Sequence, residues 1–89
     1  MSESKLTTEH QEIKEWIDHR KGRPAMVRGT ADRGGSAVLR VDFQEPDPGL
    51  EAISWDRFFE IFDKNNLAFL SQEKTAEGKL SRFHKFVDR

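Results

Sequence analysis

The sequence predicts a small α+β domain: a two- or three-stranded antiparallel sheet packed by two helices. The expected order is α-β-β-α-β, followed by a short helix or strand. Three observations carry this reading. Eighty-nine residues leave room for a single hydrophobic core. Two segments repeat apolar residues at helical spacing, while another alternates with period two. About a quarter of the chain is Leu, Ile, Val or Phe, above the roughly 20% at which chains lose the ability to fold.

Residues 1–7 are polar with nothing to bury and are expected as a disordered N-terminal tail, leaving 8–89 as the domain. Thr8-Glu9-His10-Gln11 has the form of a capping box. Ile13, Trp16, Ile17 and the stem of Arg20 then define one helical face. Gly22 supplies the stop, and Pro24 opposes continuation.

Ala25–Thr30 reads as a short strand with Ala25 and Val27 inward and Met26 and Arg28 outward. The cluster at 31–36 is a turn. Val38–Gln44 alternates, with Leu39, Val41 and Phe43 on one face and Arg40, Asp42 and Gln44 on the other. The two strands form a hairpin, and Glu45-Pro46-Asp47-Pro48-Gly49 is a break within the domain.

Ser54 is a strong N-cap for a helix to residue 64, with Trp55, Phe58, Phe59 and Phe62 on its apolar face. Ile53 and Phe58 have the spacing of a hydrophobic staple. Asn65-Asn66 suits a left-handed stop. Leu67–Gln72 is a third strand, and Thr75-Ala76-Glu77-Gly78 a turn. Residues 80–88 fit two patterns. Leu80, Phe83 and Val87 have helical spacing with Ser81 as cap, which favours a short helix; the alternative is a strand paired with 67–72.

These segments, in order, carry a resemblance. Glu15-Trp16 through Lys21-Gly22-Arg23-Pro24-Ala25, Leu39–Phe43, Ile53-Ser54-Trp55-Asp56-Arg57-Phe58-Phe59-Glu60-Ile61-Phe62-Asp63, Asn66–Leu70 and Ser81–Val87 together resemble a family of small uncharacterised bacterial proteins. The resemblance covers roughly residues 9–88. Its members are often labelled 1,4-alpha-glucan branching enzyme. Such an enzyme works with a large barrel and paired carboxylates, and a barrel takes ~250 residues. The resemblance therefore brings no activity, cofactor or site residue. Lys21-Gly22 stands where the family has a Gly-Gly pair.

Composition narrows the function classes. There is no cysteine, hence no disulfide, no thiolate metal site and no thiol redox chemistry. No apolar run approaches the ~20 residues of a membrane span. Met1-Ser2-Glu3-Ser4-Lys5 has no apolar stretch behind it, so a cytoplasmic location is expected.

No catalytic constellation emerges. His10, His19 and His84 are far apart; His10 and His19 read as exposed helix residues and His84 as a structural histidine. Asp56, Glu60 and Asp63 recur at helical spacing as a solvated face. Asp32-Arg33-Gly34-Gly35-Ser36 has the glycines of a phosphate cradle but lacks the Gly-Lys-Ser/Thr ending of a P-loop; a hairpin turn is favoured. Trp16 and Trp55 fit core packing better than a sugar platform. No catalytic, cofactor-binding or metal-binding residue is expected, and no cofactor.

Charge is the remaining signal. The net charge is −1, but residues 19–40 carry six basic groups against one acidic, and residues 41–63 carry seven acidic against one basic. Arg23, Arg28, Arg33 and Arg40 could form an anion- or nucleic-acid-binding face on the hairpin. The competing reading is that the basic block meets the acidic one within the fold. A pI near 6.3 counts against a dedicated nucleic-acid binder. The sequence thus points to a non-catalytic accessory or interaction module, binding another protein or a second copy of itself. The alternative is a nucleic-acid-associated protein, and the least supported reading is a glucan-acting enzyme. No membrane partner and no small-molecule substrate is indicated.

Overall fold

In the computed structural model, which describes residues 4–43 and 47–89, the two helical spacings become helices of ten residues. α1 spans His10–His19 and α2 spans Trp55–Lys64. α2 forms as its sequence dictates. The Ser54 hydroxyl accepts from Arg57 N–H at 3.1 Å, satisfying one of the donors a helix start leaves free. Phe58, Ile61 and Phe62 are fully buried, and Asp56, Glu60 and Asp63 are exposed.

α1 starts differently from expectation. Glu9, not Thr8, holds the cap position and makes no side-chain cap bond. Thr7 takes over. Its hydroxyl accepts from Glu9 N–H at 3.0 Å and donates to the Glu12 carboxylate at 2.6 Å. Lys5 pairs with the same carboxylate at 2.7 Å. The segment before α1 is thereby tied to its first turn.

At the other end, Lys21 N–H bonds to Asp18 O at 3.0 Å and Gly22 N–H to Ile17 O at 2.9 Å. This is the Schellman pattern. Its left-handed position is Lys21, with φ of 59°, where glycine is usual. Gly22 has another duty: a Cβ there would lie 2.8 Å from Val41 Cγ1 and 2.9 Å from Ile17 Cγ2. The missing side chain lets the end of α1 press against the sheet.

Six strands form two antiparallel sheets. They are β1 (Ser4–Thr7), β2 (Arg23–Val27), β3 (Leu39–Asp42), β4 (Leu50–Ala52), β5 (Leu67–Gln72) and β6 (His84–Asp88). One sheet has the order β3-β2-β4 and the other β1-β5-β6. Leu39 and Val41 from the first sheet meet Phe69 from the second in one core with Ile13, Trp16, Ile17, Phe58, Ile61 and Phe62. The α+β class stands, with two three-stranded sheets rather than one sheet.

Further expectations are corrected. The disordered tail expected over 1–7 is a strand from Ser4 to Thr7, paired from Ser4↔Gln72 to Thr7↔Phe69; residues 1–3 lie outside the described residues. β1 has no fully buried residue, so no hydrophobic pattern announces it. β4 is likewise short and exposed, and borders the break whose residues 44–46 lie outside the described residues. Residues 84–88 are a strand, not a helix. The helical reading leaned on Leu80 and Phe83, which are each 45% exposed. The face that packs is His84 and Phe86, opposite Ser71 and Phe69.

The inward face of β2 is also the reverse of the one expected. Pro24 pairs with Val41 and Met26 with Leu39, so these take the core side. Ala25 lies across from Arg40 on the other side, and flanking strands bury it there.

The α1 stop yields a paired prediction. Lys21→Gly relieves a left-handed lysine and should raise stability by ~0.5–1 kcal/mol. Gly22→Ala drives a methyl into Val41 and Ile17 and should lower it by ~1–3 kcal/mol. Urea unfolding midpoints of the two variants check both signs.

Candidate functional site

The four arginines of the expected basic face are separated by the fold. Arg23, at the start of β2, lies 3.5 Å from Asp42 and donates to Phe43 O at 3.3 Å. Arg28, just past the end of β2, donates to Pro48 O at 2.8 Å and stands 3.6 Å from Glu51. These two share an open concavity with Asp42 and Asp47. The basic block thus meets the acidic block there, within the fold. Arg33 sits in the exposed turn 32–36, beside the C-terminal part of α2. Arg40 turns towards β6.

Arg40 is the member that finds a new setting. Together with His84, Lys85 and Phe86 it lines a cleft of about 290 Å³. β3 and β6 are edge strands of their respective sheets, and the cleft opens where these edges face one another. The Arg82 guanidinium lies 5.1 Å from the Phe43 ring, which in turn lies 5.8 Å from His84. Arg40, Arg82 and Lys85 have no ion-pair partner among the described residues, unlike Arg23 and Arg28. Phe43 and Phe86 are half-buried, leaving apolar surface beside these cations.

The free edge of β3 is protected. Val27 N–H bonds to Val38 O, so the alternating carbonyls of Leu39, Val41 and Phe43 turn away from β2. Arg40 Nη1 donates to Leu39 O at 2.9 Å, and Arg23 covers Phe43 O. Capped carbonyls discourage the addition of another strand. What the cleft offers a partner is side-chain chemistry.

His84 forms the cleft's inner wall. Its ring centroid lies 5.7 Å from both Trp16 and Phe69, 5.8 Å from Phe43 and 5.9 Å from Phe86. Nδ1 lies 2.9 Å from Arg82 O, which fixes the tautomer with hydrogen on Nδ1 when the ring is neutral. Burial among these rings pushes its pKa below the ordinary histidine value, the Arg82 carbonyl opposes the shift, and the Arg40 charge adds to it. The neutral ring leaves Nε2 as an acceptor.

The other sequence candidates fall into structural roles. His10 stacks on Phe59 at 4.1 Å, and its Nε2 lies 2.9 Å from Asp63, which Arg89 also holds at 2.7 Å. Trp16 is buried, and Trp55 stacks on Phe59 at 5.5 Å. Ile61 is fully buried. His19 is exposed on the rim of a concavity of about 300 Å³ beside Trp16 and Arg20. Around that concavity Lys5 pairs with Glu12 and Arg20 with Glu73, while Glu15 accepts from Gln11.

Among the described residues, no group of three His, Asp or Glu could hold a metal ion, and no helix is long and apolar enough to cross a membrane. Sequence reasoning missed Arg82 and Lys85. The alternation Arg82-Phe83-His84-Lys85-Phe86 held the signal, since a strand places His84 and Phe86 on one face. Compared with family models, curated proteins and solved structures, the chain matches none.

The position of His84 predicts a pH dependence. A histidine whose folded pKa is depressed stabilises fully above its unfolded value, here 6.5, and that contribution is lost as pH falls through the folded value. The unfolding free energy should therefore decline as pH drops from about 7 to about 5. His84→Phe should flatten that decline; denaturant titrations of both proteins across this range measure it.

Proposed function

We propose that this chain is a non-catalytic interaction module whose cleft between β3 and β6 receives an acidic segment of another protein. The observation that carries the reading is the meeting of Arg40 and Lys85, both free of carboxylates among the described residues, with half-buried Phe86 in one concavity. An acidic side chain satisfies such cations, while an apolar neighbour in the same segment covers the ring. Cations around the rim raise the rate of encounter with a negative partner.

A binding role is supported by the engagement of two of the three histidines. His84 is wedged among rings with Nδ1 committed, and His10 is committed to Phe59 and Asp63. The resemblance to the small family labelled as branching enzymes adds no catalytic residue to this picture. A nucleic-acid partner is the second reading, favoured by the cation–aromatic alternation of Arg82 through Phe86. Against it, Arg23 and Arg28 already meet carboxylates.

Amide NMR titration separates the two readings. The probes are a Glu-rich peptide containing one Phe, and a single-stranded oligonucleotide of equal charge. The peptide should shift Arg40 and residues 82–86 saturably, and Arg40→Glu with Lys85→Glu should abolish the effect. If only the oligonucleotide shifts these amides, with steep loss in added salt, the protein-binding reading fails. If neither probe shifts them, the cleft is not a site for anionic partners.

A further inference from the structure

A second convergence of positive charge lies away from this cleft, where the turn 32–36 meets α2. The turn closes on itself: Gly35 N–H bonds to Asp32 O at 3.2 Å, Ser36 N–H to Asp32 Oδ1 at 2.9 Å, and Asp32 N–H to Ser36 O at 2.8 Å. Ser36 Oγ reaches Asn65 Oδ1 at 3.4 Å, tying the turn to the end of α2. Gly35 has φ of +88°, a conformation that glycine adopts without strain.

Arg57 and Lys64 are seven residues apart on α2, two turns along one face. Both reach the glycines. A Cβ on Gly35 would lie 3.4 Å from Lys64 Nζ and 3.6 Å from Arg57 Nη1, and one on Gly34 would lie 3.4 Å from Asp32 Oδ1 and 3.7 Å from Lys64 Nζ. Two like charges thus approach a single point that any other side chain would fill. Lys64 has no ion pair or hydrogen bond among the described residues. Arg57 Nη1 is shared with the Glu60 carboxylate at 3.0 Å. The bonds within the turn use the N–H groups of Asp32, Gly35 and Ser36, which leaves those of Arg33 and Gly34 available.

We propose that the Gly34-Gly35 turn together with Arg57 and Lys64 binds a phosphate group. A tetrahedral oxyanion seated over Gly35 would be met by the guanidinium and the ammonium, with turn amides within reach. Asp32 is spent on the turn, where its Oδ1 holds Ser36 N–H, and Glu60 competes with the ligand for Arg57. This site rests on the turn and α2, so it stands or falls independently of the β3–β6 cleft.

The test is an amide NMR titration with inorganic phosphate and, separately, with phenyl phosphate, against sodium chloride at matched ionic strength. Saturable shifts at residues 33–36 and in the last two turns of α2 are expected with a phosphate and not with chloride. Tighter binding of one compound identifies free phosphate or a phosphomonoester as the source. Lys64→Gln with Arg57→Gln should weaken binding at least tenfold, whereas Glu60→Gln should tighten it severalfold by freeing Arg57. All three positions are solvent-facing, so the variants should fold; their spectra verify it. Shifts that do not saturate, that chloride reproduces, or that persist in the double variant overturn the site.

Discussion

The fold turns on a buried guanidinium. Arg20, only 4% exposed, caps α1 and projects into the connection between β5 and β6. Its Nε donates to Ser81 O, Nη1 to Trp16 O at 2.9 Å, and Nη2 to Glu73 O at 2.8 Å. The plane lies 4.0 Å from the Trp16 ring, and the Glu73 carboxylate stands 3.7 Å away at the surface. Burial pulls its pKa down, and Glu73 acts against that pull. An isolated buried charge would be prohibitive. Here an aromatic face, four backbone carbonyls (Gln72 O at 3.5 Å is the fourth) and a peripheral carboxylate replace its water. The planar fork suits this task because it presents donors in several directions from one rigid group.

The clasp matters because 73–83 is a long connection with little apolar anchoring of its own. Leu80 is 45% exposed, and the base is narrowed by an isolated bridge between Lys74 and Leu80 and by backbone bonds from Ser81 N–H to Glu73 O at 3.1 Å and from Gln72 N–H to Phe83 O at 3.2 Å. Ser81 extends the clasp: its hydroxyl donates to Gln72 Oε1 at 2.7 Å and accepts from Phe83 N–H at 3.1 Å. Arg20 and Ser81 together fix where β6 begins. They thereby set which residues of β6 face inwards, and so place His84 against Trp16 and Lys85 beside Arg40. The cleft is a downstream consequence of the clasp.

How much of this is legible in the sequence follows from what periodicity can report. α2 is legible in its cap, Ser54, and in Phe58 and Phe62, but its buried face also takes in Ile61, which the stripe of aromatic residues leaves out. α1 is legible in its interior at Ile13, Trp16 and Ile17, but not in its start, where Glu9 holds the cap position and Thr7 holds the Glu9 amide from a strand with no apolar pattern. β1 and β4 are invisible because pairing with a neighbour, not burial, makes them strands. Residues 80–88 mislead because exposed Leu80 and Phe83 mimic a helical stripe. Arg20 reads as the amphipathic end of a helix; that its head is buried depends on carbonyls more than fifty residues away. The candidate site was legible only in Arg40. The alternation of β3 sets Arg40 on the face away from Leu39 and Val41, as the sequence indicates, and the fold then brings it beside β6.

Amide hydrogen exchange on Arg20→Lys tests the clasp most directly, because lysine keeps the charge and much of the stem but not the fork. The account predicts a loss of ~2–4 kcal/mol in global stability. It also predicts a larger loss of protection across residues 72–88 than across α2 and β2–β4. A variant with wild-type stability and unchanged protection at Gln72, Phe83 and His84 would contradict it, and β6 would then owe its position to core packing alone.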